Sequence, residues 1–268
     1  MDVGESIILG AIQGLTEFLP VSSSGHLVLF QKILGISTQV LFFDTLVHGG
    51  TLIAVLVVLR NDIWAIVRRP VQPLTAYLIL GTLPAVAVAL IFNDVVEAAF
   101  ESGAFLGFAF LVTSIFLTFA EILSKKAAKP RQKEEMTWRD SLIIGVFQAI
   151  AIVPGVSRSG STLSASLARG LDRDFAARFS FLLSIPAILG ALVLQFKDMA
   201  GPMEAAGAGE IGVLPLIAGT LSAAAVGFFA ITFMLNLVRK RSLWGFAVYT
   251  GVLGLLVLVD RYLTRVFF

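Results

Sequence analysis

Six stretches of the chain are continuous apolar runs: Leu41 to Leu59, Leu74 to Phe92, Gly103 to Leu123, Phe179 to Phe196, Ile211 to Leu237 and Leu243 to Val259. Crossing the hydrocarbon layer of a bilayer takes roughly 20 apolar residues in a helix. The runs meet that length, are bounded by charges or turn formers, and lack the alternation of a barrel strand. They predict six spanning helices. Two other stretches are apolar but interrupted. Ile7 to Leu19 leads into Pro20-Val21-Ser22-Ser23-Ser24-Gly25 and a second short run from His26 to Leu34. Leu142 to Val153 leads into Pro154-Gly155-Val156-Ser157-Arg158-Ser159-Gly160-Ser161-Thr162 and then Leu163 to Leu167. Each arm covers only about half of a roughly 30 Å core. Broken backbone at that depth survives only where protein or water satisfies its amides, so each pair predicts a re-entrant hairpin whose polar elbow lines a cavity. A kinked span on the exterior is the plainer alternative, disfavoured because serines and an arginine are costly against lipid.

The charges between the runs alternate. One set of connections holds Arg60, Arg68 and Arg69, the Lys and Arg residues of 125–139, Arg169, Arg173 and Arg178, and Arg239, Lys240 and Arg241. The other holds Asp94, Glu97, Glu101, Lys197, Asp198, Glu204 and Glu210, with Lys32, Arg261 and Arg265. The positive-inside rule places the first set in the cytoplasm and both termini outside, in the periplasm of a bacterial plasma membrane. The N-terminus has no basic segment ahead of an apolar one, so no cleaved signal peptide is expected.

Sliding the sequence on itself by 135 residues pairs Gly10 with Gly145, Gln13 with Gln148, Val21 with Val156, Ser22 with Ser157, Ser24 with Ser159 and Gly25 with Gly160. A shift of 138 places Gly81-Thr82-Leu83 on Gly219-Thr220-Leu221. One membrane domain over residues 1–268 is therefore expected to consist of a repeat of about 1–123, a cytoplasmic linker 124–140 and a second repeat of about 141–268. Each half holds one re-entrant pair and three spans. Three is odd, so the fold expected is an all-α integral membrane protein with an inverted-topology repeat, its elbows meeting near mid-membrane.

Composition agrees with this picture and narrows the chemistry. Of 268 residues, 57% are hydrophobic and only 14% charged, against about 25% in an ordinary soluble domain. Mean hydropathy is +0.91. A net charge of +2 gathered in a few loops argues against a nucleic-acid partner, and the lack of cysteine removes thiolate metal sites and cysteine nucleophiles.

The first elbow region offers Glu17, Ser22, Ser23, Ser24 and His26; the second offers Ser157, Arg158, Ser159, Ser161 and Thr162. A carboxylate, an imidazole, hydroxyls and a guanidinium form the set that phosphoryl transfer uses, with Arg158 suited to hold phosphate oxygens bidentately. Plainer readings stay open. Ser24 and Ser159 could simply cap helices; His26 could be a hydrogen-bonded helix-start residue; Glu17 could pair with a lysine or bind a cation structurally; Arg158 could be its counter-ion. Asp44 and His48, four apart, share a helix face and could be supporting or access-path residues. A transporter or flippase for a polyprenyl phosphate lipid, using Glu17, His26 and Arg158 for binding and proton coupling, is the rival from another class.

The string from Gln13 to His26, QGLTEFLPVSSSGH, together with PGVSRSGST from Pro154 to Thr162, resembles the undecaprenyl-diphosphatase family, the bacitracin-resistance phosphatases. The likeness covers nearly the whole chain in length and hydropathy. It implies a membrane phosphatase converting undecaprenyl diphosphate to the monophosphate carrier of cell-wall synthesis, dependent on Mg²⁺ or Ca²⁺. It further implies Glu17 as metal ligand or acid-base group, His26 as the essential histidine, Ser23 as nucleophile and Arg158 as phosphate ligand. Gln13, Ser22, Ser24, Ser157, Ser159 and Thr162 match supporting, substrate-binding positions. The family pattern has glutamate or glutamine where Gln13 stands; glutamine leaves one fewer anionic oxygen for a cation. Serine or water as attacking group stays open, and a homodimer is compatible with the chain.

Overall fold

The computed structural model describes residues 1–36, 41–92, 105–126, 129–198 and 211–267. The described residues form helices α1 (Val3–Phe18), α2 (Ser23–Ile33), α3 (Leu41–Val58), α4 (Arg60–Arg68), α5 (Pro73–Ile91), α6 (Leu106–Lys126), α7 (Trp138–Ile150), α8 (Arg158–Ala168), α9 (Arg173–Asp198), α10 (Val213–Lys240) and α11 (Trp244–Val259). Among these residues there is no strand, only an isolated parallel bridge between Arg131 and Leu171. Six helices are long and apolar enough to cross a membrane: α3, α5, α6, α9, α10 and α11, the last running on through a π-helical turn to Thr264. They match the six apolar runs, with three differences. Helix α9 begins at Arg173, six residues before the run at Phe179, because Asp172 accepts from the amides of Asp174 and Phe175 and starts the helix early. A separate helix, α4, follows α3. The start of the run at Gly103 lies outside the described residues, as do Asp94, Glu97, Glu101, Glu204 and Glu210.

The interrupted stretches are each two helices, of 16 and 11 residues (α1, α2) and of 13 and 11 residues (α7, α8). At about 1.5 Å per residue none of the four exceeds roughly 24 Å, short of a full hydrocarbon layer. The serine motifs form the N-caps and first turns of α2 and α8. Ser22 and Ser157 are the N-caps, each accepting from the amide of the residue three positions on, Gly25 at 3.2 Å and Gly160 at 3.0 Å.

Helix α1 packs chiefly against α10, and α7 chiefly against α5. At both crossings the backbones touch. A Cβ on Gly10 would stand 2.1 Å from the carbonyl oxygen of Gly219, and one on Gly145 would stand 2.5 Å from that of Gly81. Only glycine permits this approach. These are the four glycines that the two sequence shifts pair, Gly10 with Gly145 and Gly81 with Gly219; in space each packs on a glycine of the other half.

Helix α4 and the ends of α6, α9 and α10 are tied together by ion pairs: Arg178 to Asp62 at 2.8 Å, Arg239 to Asp174 at 2.6 Å and Arg173 to the buried Glu121 at 2.7 Å. The segment ahead of α7 joins this end. Arg131 exchanges backbone hydrogen bonds with Gly170 and Asp172, and its guanidinium reaches Asp140 at 2.8 Å. Asp140 also accepts from Arg169 at 2.7 Å and from the Thr137 hydroxyl and amide at 2.8 Å. Burial alone would raise the Asp140 carboxyl, but the donors from Arg131, Arg169 and Thr137 outweigh it and hold it well below its ordinary value of 3.8. At the far end of the bundle Lys32, near the end of α2, donates to the carbonyl of Phe267 at 3.3 Å.

Candidate active site

The two elbows touch. Ser159 donates to the carbonyl of Leu19 at 2.9 Å, and the amide of Gly155 donates to the hydroxyl of Ser24 at 3.3 Å. Neither Ser24 nor Ser159 is a cap; that work falls to the serines two positions earlier, and this pair stitches one elbow to the other. In the first elbow the chain turns through Ser22, whose φ of 74° is uncommon for a residue with a side chain. That turn sets Ser23 as the first residue of α2, pointing back at the last turn of α1.

There Glu17, 6% exposed, gathers the polar groups. Arg158, first residue of α8, forms an ion pair with its Oε1. Ser23 donates to Oε2 at 2.5 Å, and the Gln13 amide donates to the same oxygen at 2.9 Å. His48 approaches from α3, its Nε2 3.8 Å from Oε2, while its Nδ1 donates to the Asp44 carbonyl at 2.7 Å. Asp44 in turn accepts from Gln31 at 3.0 Å. One carboxylate thus joins residues separated by 141 positions, and Arg158 is its counter-ion. The hydroxyl beside that carboxylate has a base within reach, and the guanidinium beside both can receive an anion.

His26 is apart from this cluster. Its Nδ1 lies 2.7 Å from the carbonyl of Ser22, which can only accept, so Nδ1 carries the proton. Nε2 then accepts from the hydroxyl of Tyr249 at 2.7 Å, and the rings stack with centroids 5.7 Å apart. The pair sits at the edge of a cavity of about 490 Å³ lined mainly by apolar side chains, among them Leu15, Leu19, Val21, Leu237 and Phe246. Tyr249 was invisible to sequence reasoning: it is one aromatic within an apolar span, and nothing local ties it to a histidine 223 positions away.

The remaining positions divide. Ser157 caps α8, and its amide donates to the Thr113 hydroxyl at 3.0 Å. Thr162 is fully buried against the Ser180 hydroxyl at 2.6 Å, one turn beyond Arg158 and bonded away from Glu17. Gln13 is buried with its Oε1 unpartnered. Among the described residues no group of three or more His, Asp or Glu side chains could hold a metal. Glu17 with the orphaned Gln13 oxygen nevertheless offers hard oxygen donors suited to Mg²⁺ or Ca²⁺, provided that phosphate and water complete the shell.

Spanning helices around two touching elbows, with a buried carboxylate, hydroxyl and guanidinium between them, define a multi-pass membrane protein with a polar centre. The chain belongs to the family described as Bacitracin resistance protein BacA, whose model matches residues 6–256. It is 46% identical over 259 residues to the undecaprenyl-diphosphatase of Carboxydothermus hydrogenoformans, covering 97% of both chains. Undecaprenyl-diphosphatase 3 of Bacillus cereus (strain ATCC 10987 / NRS 248) is 45% identical over 265 residues, covering 98% of each. The undecaprenyl-diphosphatase of Halothermothrix orenii is 42% identical over 261 residues, with 97% of this chain and 98% of that one covered.

Proposed function

We propose that the protein is an undecaprenyl-diphosphate phosphatase that releases inorganic phosphate and returns the lipid monophosphate carrier to cell-wall synthesis, with Glu17, Ser23 and Arg158 as its reacting centre. The observation that carries this reading is the contact of the Ser23 hydroxyl and the Arg158 guanidinium with opposite oxygens of one buried carboxylate. Arg158 turns part of its donor fork to the terminal phosphate. Ser23 attacks the terminal phosphorus, Glu17 takes the hydroxyl proton and passes it to the bridging oxygen as that oxygen's bond to the phosphorus breaks, which frees the lipid monophosphate and leaves Glu17 ionised again. Water then hydrolyses the phosphoserine with Glu17 as base. Direct attack by a Glu17-activated water is the variant, distinguished by whether phosphoserine can be trapped at Ser23. His26, whose Nε2 carries no proton while it accepts from Tyr249, stands as a proton acceptor at the edge of the apolar cavity, which suits the prenyl tail. Glu17 and Gln13 would hold the Mg²⁺ or Ca²⁺, which supplies positive charge to the diphosphate oxygens.

The reading includes an inverted repeat with two re-entrant pairs. It is supported by the short paired helices, the touching elbows and the reciprocal crossings of Gly10 on Gly219 and Gly145 on Gly81. The ion-paired end is taken as cytoplasmic and both termini as outside, by the excess of Lys and Arg at that end. The groups at Glu17 all come from one chain, so the reading needs no homodimer.

The test is phosphate release from undecaprenyl diphosphate by detergent-purified protein with added Mg²⁺ or Ca²⁺. Release by the unmutated chain, stopped by chelator and lost in Arg158→Ala, is expected. A transporter of the same architecture would release none.

A further inference from the structure

Away from the elbows, a cavity of about 280 Å³ opens at the ion-paired end of the bundle, between the end of α6, the α8–α9 junction and the α10–α11 junction. Five cations line it, Lys125, Arg173, Arg239, Lys240 and Arg241, against the single carboxylate of Glu121. Arg173 is spent on Glu121 and on the carbonyls of Val238 and Arg241, and Arg239 on Asp174. The side chains of Lys125, Lys240 and Arg241 have no ion pair or hydrogen bond among the described residues. Three other arginines at this end are ion-paired, Arg178 with Asp62 and both Arg131 and Arg169 with Asp140. Three uncompensated cations around one concavity repel one another and favour an anion there. The place is also specific: spans begin and end here, with the half-exposed Trp244 starting α11 and the exposed Ile122 on the last turns of α6. A charged group in the cavity is thus level with lipid headgroups, and apolar side chains beside it can receive an acyl chain.

We propose that this cavity binds a phosphate-bearing anion at the membrane interface, the chemistry shared by an anionic phospholipid headgroup and free phosphate. Its occupant neutralises Lys125, Lys240 and Arg241 and ties together the ends of α6, α9, α10 and α11. The site is separate from Glu17, Ser23 and Arg158.

Trp244 reports on it. With Trp64→Phe and Trp138→Phe it becomes the sole tryptophan of a chain that has three. The full chain in neutral detergent is titrated with brominated phosphatidylglycerol or brominated phosphatidylcholine, and quenching of Trp244 is followed. Phosphatidylglycerol is expected to half-quench at a concentration about tenfold lower, and the preference to vanish in Lys125→Ala/Lys240→Ala/Arg241→Ala. Lys125→Ala alone, the milder change, is expected to reduce the preference severalfold. Millimolar orthophosphate added as competitor separates the sources: relief of quenching shows that the site also takes free phosphate, and no relief that it takes only the lipid-borne group. Equal quenching by both lipids, or a preference unchanged in the triple variant, overturns the proposal.

Discussion

The two elbows share a frame and differ in what they carry. In each, a serine caps a helix of 11 residues, and a serine two positions on reaches into the opposite elbow: Ser24 to the Gly155 amide, Ser159 to the Leu19 carbonyl. Where the frames correspond the chemistry does not. Glu17 corresponds to Ile152, Ser23 to Arg158 and His26 to Ser161. The two elbows touch through these serines, so a residue changed in one elbow faces the scaffold of the other. The acid and hydroxyl could gather on one side and the guanidinium on the other without redesigning either turn. The capping and stitching serines are common to both elbows; the position after each cap, Ser23 in one and Arg158 in the other, is where they differ.

That contrast can be broken most severely at Arg158. Arg158→Ala should lower phosphate release by about a thousandfold or more, because it removes an electrostatic contact that strengthens as phosphoryl charge develops. The exchange Glu17→Arg/Arg158→Glu should keep the ion pair and the fold yet stay inactive, since the hydroxyl then faces a cation in place of a base; near-normal turnover would make the pair purely structural. Next is the frame itself. Gly10→Val and Gly145→Val each drive a side chain into a carbonyl, and each should cost ~3 kcal/mol or more of stability, read as lost thermal stability of the purified protein. Unequal losses would mean that the two crossings are not equivalent.

A similar loss, about 3 kcal/mol, is expected for Asp140→Asn, which leaves two arginines without a buried partner. The Asp140 carboxyl is held below its unfolded value, so the stability it contributes is complete above about pH 4 and fades as pH falls further. Asp140→Asn should therefore flatten the acid limb of a stability-against-pH curve. Smallest are the single hydrogen bonds. Tyr249→Phe should slow turnover roughly fivefold through the loss of about 1 kcal/mol of support for His26, with binding little changed. Ser24→Ala should lower stability by a similar ~1 kcal/mol.

Spans and elbows were legible because both are local. Apolar length identifies a crossing, and a proline followed by serines and glycine marks a turn whose amides need partners. Elbow contact was expected too, from the residues matched at a shift of 135 and the parity of three spans, and the Ser159–Leu19 and Gly155–Ser24 hydrogen bonds show the contact itself. What was not legible was which hydroxyl does what. Capping was expected of Ser24 and Ser159, and it is Ser22 and Ser157, two positions earlier, that face the amides of Gly25 and Gly160. Asp140 looked like one charge in a basic linker, and its three donors arrive from Arg131, Thr137 and Arg169. Tyr249 and the approach of His48 to Glu17 depend on packing between helices, which periodicity does not encode. Helix α4 escaped because its nine residues are too polar for a span and too short for a clear period.

Phosphate release measured on a double-mutant cycle of Ser23→Ala and Arg158→Ala tests most directly whether two elbows make one catalytic centre. Strong non-additivity is expected: once Arg158 is gone, removing the Ser23 hydroxyl should cost almost nothing more. Losses that simply multiply, as for independent groups, would contradict it.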